Sequence, residues 1–378
     1  MSGEVVTEAE QSESTPRIMR TPRTVDLEIT SRCNLRCRYC YFFDNPDVVY
    51  RDLPTDEWLK FFDELGQCAV METTLQGGEP FFRKDLPELI NGIVRNGMRF
   101  SILSNGGLID DKIAAFIAET GRCNYVQVSI DGSCPETHDA CRGTGSFEGA
   151  VRGVRILQRH GINAAVRVTI HRQNVHDLDN TARFLLEDLG INSFGTNAAS
   201  YFGSCRQNSE EVMLTTEERM LAMEALLRLS EKYEGRISAQ AGPLAEARHW
   251  RLMEQARAQG APAFARAGSL VGCGCIFNKL TVRADGMIVP CTMLAHMELG
   301  RINQDSLADL WQQHPLLADM RQRHKIPLTD FEFCAGCPYI PYCTGSCPGL
   351  AYTIVGQVNH PSPDACLRRF LEDGGRII

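Results

Sequence analysis

Residues 24–40 read TVDLEITSRCNLRCRYC, a β-branched run that breaks at Ser31-Arg32 into a loop carrying Cys33, Cys37 and Cys40. The first six of these residues have the composition of a strand. Working outward, similar runs recur at 73–76, 99–103, 125–130, 164–170 and 193–196. Amphipathic stretches of helical period fill the gaps at 55–65, 86–95, 109–119, 147–160 and 178–189. Six strands alternating with helices predict an α/β fold of parallel βα units with right-handed crossovers, curled into a sheet or partial (β/α)6 barrel. Such folds gather their reactive groups at the C-terminal ends of the strands, and the cysteine loop falls at one of those ends.

Beyond residue 203 the pattern changes. Residues 215–233 and 242–259 read as long helices, and 260–268 is an Ala/Gly/Pro-rich linker. The segment 272–366 is dense in cysteine, with a hairpin signal at Asp285-Gly286 between the apolar runs 280–282 and 287–289. The expected organisation is a disordered tail over 1–22, a barrel over 23–203, a helical bridge over 204–268 and a cysteine-rich domain over 269–378.

The 378 residues carry 39 Lys plus Arg against 47 Asp plus Glu, a formal charge of −8 that speaks against sequence-independent nucleic-acid binding. No apolar run approaches the ~18 residues of a membrane span. Residues 1–17 have the layout of neither a secretory signal nor a transit peptide. A cytoplasmic protein is expected, with neither nucleic acid nor membrane as partner. Its 16 cysteines are the anomaly. A chain this long can bury a core without disulfide staples, and clustered thiols in a reducing compartment more often bind metal or do chemistry.

Cys33, Cys37 and Cys40 are separated by three and then two residues, so their thiols can face one point. A four-iron cube takes four ligands, and three thiolates leave one iron open. The competing reading is a zinc loop or three unconnected buried thiols, but zinc wants a fourth ligand and residues 41–46 offer only Asp44.

On these residues the chain resembles the radical S-adenosylmethionine (SAM) enzymes, whose signature is CxxxCxφC with an aromatic φ, here Tyr39. The resemblance runs to about residue 197. Gly77-Gly78-Glu79-Pro80 follows the second strand, where the family sets GGEP against the methionine amino group. Paired glycines suit such a role because backbone can approach a ligand only where no Cβ intervenes. Ser104-Asn105-Gly106 ends the third strand and Ser129-Ile130-Asp131-Gly132 the fourth. The resemblance gives Ser104 and Ser129 the cofactor's ribose and carboxylate. Arg142 has a guanidinium suited to a carboxylate fork, with a surface ion pair as its structural alternative.

The C-terminal cysteines resemble the seven-cysteine SPASM module of peptide-modifying radical SAM enzymes: Cys273-x12-Gly286-x4-Cys291, then Cys334-x2-Cys337-x5-Cys343-x3-Cys347, then Cys366. The resemblance implies two further [4Fe-4S] clusters. Cys334, Cys337, Cys343 and Cys366 would hold the outer one, and Cys273, Cys291 and Cys347 the inner one. Cys275 fits the first spacing as well; with it the inner set is complete, and without it an iron stays open for a substrate thiolate. Eight thiols divide evenly over two clusters, which favours full ligation. A zinc ribbon is the alternative for this module. Cys68, Cys123, Cys134, Cys141 and Cys205 are read as packing residues.

The resemblance implies a SAM-derived 5′-deoxyadenosyl radical that takes hydrogen from an unactivated C–H bond, with auxiliary clusters accepting the second electron. It further implies a low-potential electron donor of flavodoxin or ferredoxin type. A SPASM module implies a peptide substrate, so the expected role is modification of a ribosomally made precursor peptide by a thioether or carbon–carbon crosslink. Leader recognition would then fall to a separate protein or another surface. The motifs are similar to those of SynChlorMet-type maturases. The alternatives are a formylglycine-generating sulfatase maturase and a non-catalytic zinc or iron–sulfur scaffold or electron carrier. No general base can be named; His138 and His171 near strand ends are read as structural.

Overall fold

The computed structural model describes residues 18–43, 51–271 and 274–378. The predicted strands are all present: β1 (Thr24–Thr30), β2 (Glu72–Gly77), β3 (Arg99–Ser104), β4 (Cys123–Ser129), β5 (Ala164–Ile170) and β6 (Phe194–Ala198). They pair in parallel, each with the next. β1 and β6 are not neighbours, so the array is open, a partial barrel rather than a closed one.

Alternation along each strand decides what faces the helices. On β1, Val25, Leu27 and Ile29 are fully buried in a core shared with Trp58, Phe61, Phe62 and Leu65 of the helix Thr55–Gln67. Asp26, Glu28 and Thr30 point to the opposite face, the barrel interior. The helices start where the chain offers caps. Asp110 accepts a hydrogen bond from the Ile113 amide, and Thr215 with Glu218 forms a reciprocal capping box.

Three features add to these expectations. The tail expected to be disordered over 1–22 is tied down from Met19, whose carbonyl accepts from Trp311 Nε1 and Gln312 Nε2, while Thr21 donates to the Cys68 carbonyl. Residues 1–17 lie outside the described residues. The bridge over 204–268 contains a strand, β7 (Ile237–Ala239), which adds in parallel to β6; three residues are too few for periodicity to register. The C-terminal domain is not set apart from the barrel. Its hairpin, β8 (Lys279–Val282) and β9 (Met287–Val289), followed by β10 (Gly300–Arg301), continues the sheet through parallel pairing of β8 with β1. The order is therefore β10-β9-β8-β1-β2-β3-β4-β5-β6-β7.

Candidate functional site

The loop bearing Cys33, Cys37 and Cys40 leaves the C-terminal end of β1 and is gripped from several sides. Gly78 and Glu79 donate their amides to the Thr30 and Arg32 carbonyls, at 2.8 Å each. A Cβ on Gly77 would stand 2.4 Å from the Thr30 carbonyl oxygen, and one on Gly78 would stand 2.2 Å from that of Arg32. The paired glycines thus let β2 clamp the root of the cysteine loop. The close approach they permit is backbone to backbone, a use that the motif alone does not reveal.

Glu79 is fully buried and gathers the strand ends around itself. It accepts from Ser104 Oγ at 2.8 Å, from the Asn105 amide at 2.7 Å and from the Phe81 amide at 3.2 Å. Burial pushes its pKa up to about 7 against the pull of these donors. Pro80 begins the short turn Pro80–Phe82. Asn105, which sequence reasoning passed over, also donates to Asn34 Oδ1 at 2.8 Å and lies 3.8 Å from Cys33 Sγ. Ser129 ends β4, half-buried on the side opposite Val126 and Val128.

The second missed residue is Asp131. It is fully buried just past β4 and accepts from Tyr39 Oη, from Arg142 Nε at 2.5 Å and from the Thr169 amide at 2.8 Å. Burial opposes its charge, but Arg142, His171 and His138 outweigh this and hold its carboxyl below the usual range. Arg142 is therefore a buried ion-pair partner, with Nη1 4.0 Å from Cys37 Sγ and its guanidinium 5.3 Å from the Tyr39 ring centre. The Tyr39 ring also stacks on His171, centroids 5.4 Å apart. His171 is fully buried, and its Nε2 has no hydrogen-bond partner among the described residues. Cys141 packs here too, 3.6 Å from His171 Nδ1.

Residues 203–211 close the loop from the bridge side. Ser204 donates its amide to the Cys40 carbonyl at 2.8 Å and its hydroxyl to Phe43, and Asn208 donates to the Arg38 carbonyl at 3.1 Å. Gly203 has φ +50°, and a Cβ there would meet the Cys40 carbonyl at 2.2 Å. Gly203→Ala is expected to cost about 1–3 kcal/mol and to lower iron retention at the loop. Gly97→Ala is the comparison, since Gly97 has φ +78° but nothing within 4 Å. Denaturant melts with iron analysis check this; equal losses in both variants would show that the Cys40 contact is unimportant.

In the C-terminal domain, Cys334, Cys337, Cys343 and Cys366 come together. The Cys334 thiol is pushed up to about 12 by burial and then by Cys343, Cys366 and Cys337, while burial first, and then Cys366 and Cys337, raise the Cys343 thiol. Met293 donates its amide to Cys291 Sγ at 3.4 Å, and Gly349, two residues after Cys347, packs so closely on Met293 that a Cβ there would stand 2.9 Å from Met293 Cβ. Cys273 lies outside the described residues, and Cys275 opens the helix Cys275–Asn278 that leads into β8. Thr292, beside Cys291, donates to Glu28 Oε1 at 2.7 Å and accepts from Gln76 Nε2 at 3.0 Å, so this loop reaches the interior face of β1 and β2. Glu28 has its pKa raised to about 7, chiefly by burial.

These donor sets fit iron–sulfur clusters. Burial raises the Cys33 thiol to about 11 and the Cys40 thiol to about 12, so both stay protonated unless a cationic metal group draws the proton off. Among the described residues no three His, Cys, Asp or Glu side chains are gathered tightly enough for a single ion.

Comparison with known proteins agrees with this geometry. Residues 27–185 match the Radical SAM superfamily, and residues 273–338 match the SPASM iron–sulfur cluster-binding domain. The chain is 30% identical to Fe-coproporphyrin III synthase of Methanosarcina barkeri (strain Fusaro / DSM 804), over 89% of this chain and 86% of that one. It is 25% identical to PqqA peptide cyclase of Rhizobium meliloti (strain 1021), over 99% and 94%. Its fold is similar to that of SuiB from Streptococcus suis in the structure bound to precursor peptide SuiA, with TM-score 0.70, 15% identity and coverage of 93% and 77%. By its thiol-bearing first loop, its parallel strands and these matches, the chain belongs to the radical SAM superfamily and carries a SPASM iron–sulfur domain at its C-terminal end.

Proposed function

We propose that this protein is a radical SAM enzyme that modifies a ribosomally made precursor peptide, forming a thioether or carbon–carbon crosslink. When bound, a four-iron cluster with SAM supplies a 5′-deoxyadenosyl radical able to take hydrogen from an unactivated C–H bond. Cys33, Cys37 and Cys40 would hold that cluster, and Tyr39, Gly77, Gly78, Glu79, Pro80, Ser104, Ser129 and Arg142 would frame SAM. Glu79 would do so as a carboxylate near its pKa of about 7, able to meet an amino group, while Asp131 keeps Arg142 charged and fixed. Two auxiliary clusters, on the inner and outer cysteine sets, would carry electrons onward. A precursor peptide, a low-potential donor and a separate leader-binding protein are the partners of this reading.

The observation that carries it is the reach of the Cys291-Thr292 loop to Glu28 and Gln76, which sets Cys291 beside the barrel interior. Similarity to PqqA peptide cyclase along 99% of the chain supports the peptide reading. The similarity to Fe-coproporphyrin III synthase favours a second one, a tetrapyrrole substrate.

Anaerobic purification is expected to give a brown protein with about 12 iron atoms per chain. Co-expression with candidate precursor peptides is expected to yield a product lighter by the mass of two hydrogens. SAM cleavage driven by a tetrapyrrole, with no peptide altered, would select the second reading. A colourless zinc protein would exclude both.

A further inference from the structure

Arg167 lies on β5 between the buried Val166 and Val168, so the pleat turns its side chain away from the helices and into the barrel interior. It pairs in register with Ser129 at the end of β4 and with Gly195 on β6. A Cβ on Gly195 would stand 3.1 Å from Nη1 and 3.2 Å from Cζ, so the guanidinium lies against β6 over space that this glycine leaves bare. Its hydrogen bonds are long: Nε to Gln127 Oε1 at 3.3 Å and Nη1 to the Thr196 carbonyl at 3.4 Å. Among the described residues Nη2 has no hydrogen bond and no carboxylate pairs with Arg167. Other cations beside the interior are matched, Lys279 by Asp26 at 2.8 Å and Arg142 by Asp131 at 2.5 Å.

An arginine stays charged in any protein setting, and a half-buried charge without a counter-ion carries an uncompensated desolvation cost. Burial acts against the charge of Arg167, and Tyr125 is the group that opposes it. An anion brought to Nη2 would supply the missing partner, and a carboxylate matches the fork of a guanidinium. Asn197, two residues past Gly195 on the same face of β6, has a buried Oδ1 with no hydrogen-bond partner among the described residues. Its amide can turn over to offer an N–H there.

We propose that Arg167 anchors a carboxylate of the substrate inside the barrel, with Gly195 making room for the guanidinium and Asn197 as a second contact. Its register beside Ser129 sets the anchored group next to the residues that would frame SAM, which fixes the substrate against the cofactor. The inference rests on the reading that a substrate enters the barrel, and it narrows that substrate to an acid. The carboxylate is an acidic side chain in the peptide reading and a propionate in the tetrapyrrole reading.

The test is equilibrium dialysis of the reconstituted full-length protein with SAM, on wild type, Arg167→Met, Arg167→Lys and Gly195→Ala. The probes are coproporphyrin III against its methyl ester, and N-acetylglutamate methylamide against its glutamine counterpart. A wild type that fails to bind SAM overturns the reading on which the anchor rests, and this is known before any acid is added. Wild type is expected to hold at least one acid about tenfold more tightly than its neutral counterpart. Arg167→Met should erase that preference, Arg167→Lys should keep part of it, and Gly195→Ala should weaken it by crowding the guanidinium. Preference for the porphyrin acid alone selects the tetrapyrrole source and preference for the glutamyl acid alone the peptide source; either supports the anchor. No preference in wild type, or one that survives in Arg167→Met, overturns it. A fall in SAM affinity in the Met variant also overturns it, because Arg167 would then hold the cofactor's own carboxylate. If the Met variant does not fold, the Lys and Gly195→Ala variants decide by whether the preference shrinks.

Discussion

Cys37→Ala is expected to abolish SAM cleavage outright while leaving a brown, folded protein. With three thiolates for a four-iron cube, one iron is already open; removing a second ligand leaves the cube on two, and about four of the expected 12 irons should be lost. The loop itself should survive. Its shape comes from Gly78 and Glu79 on Thr30 and Arg32, from the Arg38 amide on the Cys141 carbonyl, and from Ser204 on Cys40, none of which uses the Cys37 side chain. The cysteines of the C-terminal domain lie on separate elements and should keep their metal. Chromatographic assay of 5′-deoxyadenosine with iron analysis makes the measurement. Cleavage persisting in the variant would remove Cys37 from the ligand set.

The second large effect is expected at Asp131, as a loss of stability as well as of chemistry. Its carboxylate is fully buried and is shared by Arg142, Tyr39 and the β5 amide of Thr169. Asp131→Ala strands a guanidinium that is 7% exposed, and breaking a buried pair from one side typically costs about 3–5 kcal/mol. The exposed pair Arg228–Asp179, at 57% and 58% side-chain exposure, is the contrast; Asp179→Ala should cost no more than about 1 kcal/mol. The pH dependence has a defined sign. Asp131 has a folded-state pKa below its unfolded value, so its contribution is present above the unfolded carboxylate pKa and is lost as pH falls through the folded one. The variant should therefore lose part of the acid-limb slope of wild type. Urea melts between pH 3 and 8 test both points, and a wild-type melt at neutral pH would show that the pair does not support the fold.

The strands and the cysteine loop were legible because their signals are local. Parallel strands covered on one face by helices carry β-branched runs such as 164–170, and thiols three and two residues apart need no tertiary information to be read together. What escaped reading depends on distant partners. Ser129-Ile130-Asp131-Gly132 drew attention to its serine, yet it is Asp131 that organises the site, because Arg142, Tyr39 and Thr169 converge on it from three elements. The Gly77-Gly78 pair reads as letting backbone approach a ligand; that it also lets the Thr30 and Arg32 carbonyls come close depends on a neighbouring strand that the motif does not name. The hairpin at Asp285-Gly286 was readable from its turn residues. Its alignment beside β1 was not, since nothing in either segment names a partner some 250 positions away.

That alignment has a consequence for anyone dissecting the molecule. Inserted between β8 and β2, the opening strand has ladders on both flanks. Cutting the chain before residue 279 would bare one of them and invite adhesion to other copies. Chimeras that exchange the C-terminal module with that of another enzyme should therefore be joined upstream of the hairpin and matched to β1 in register. A graft made at the apparent domain boundary without that match would shift Cys291, just past β9, relative to the cysteine loop that follows β1.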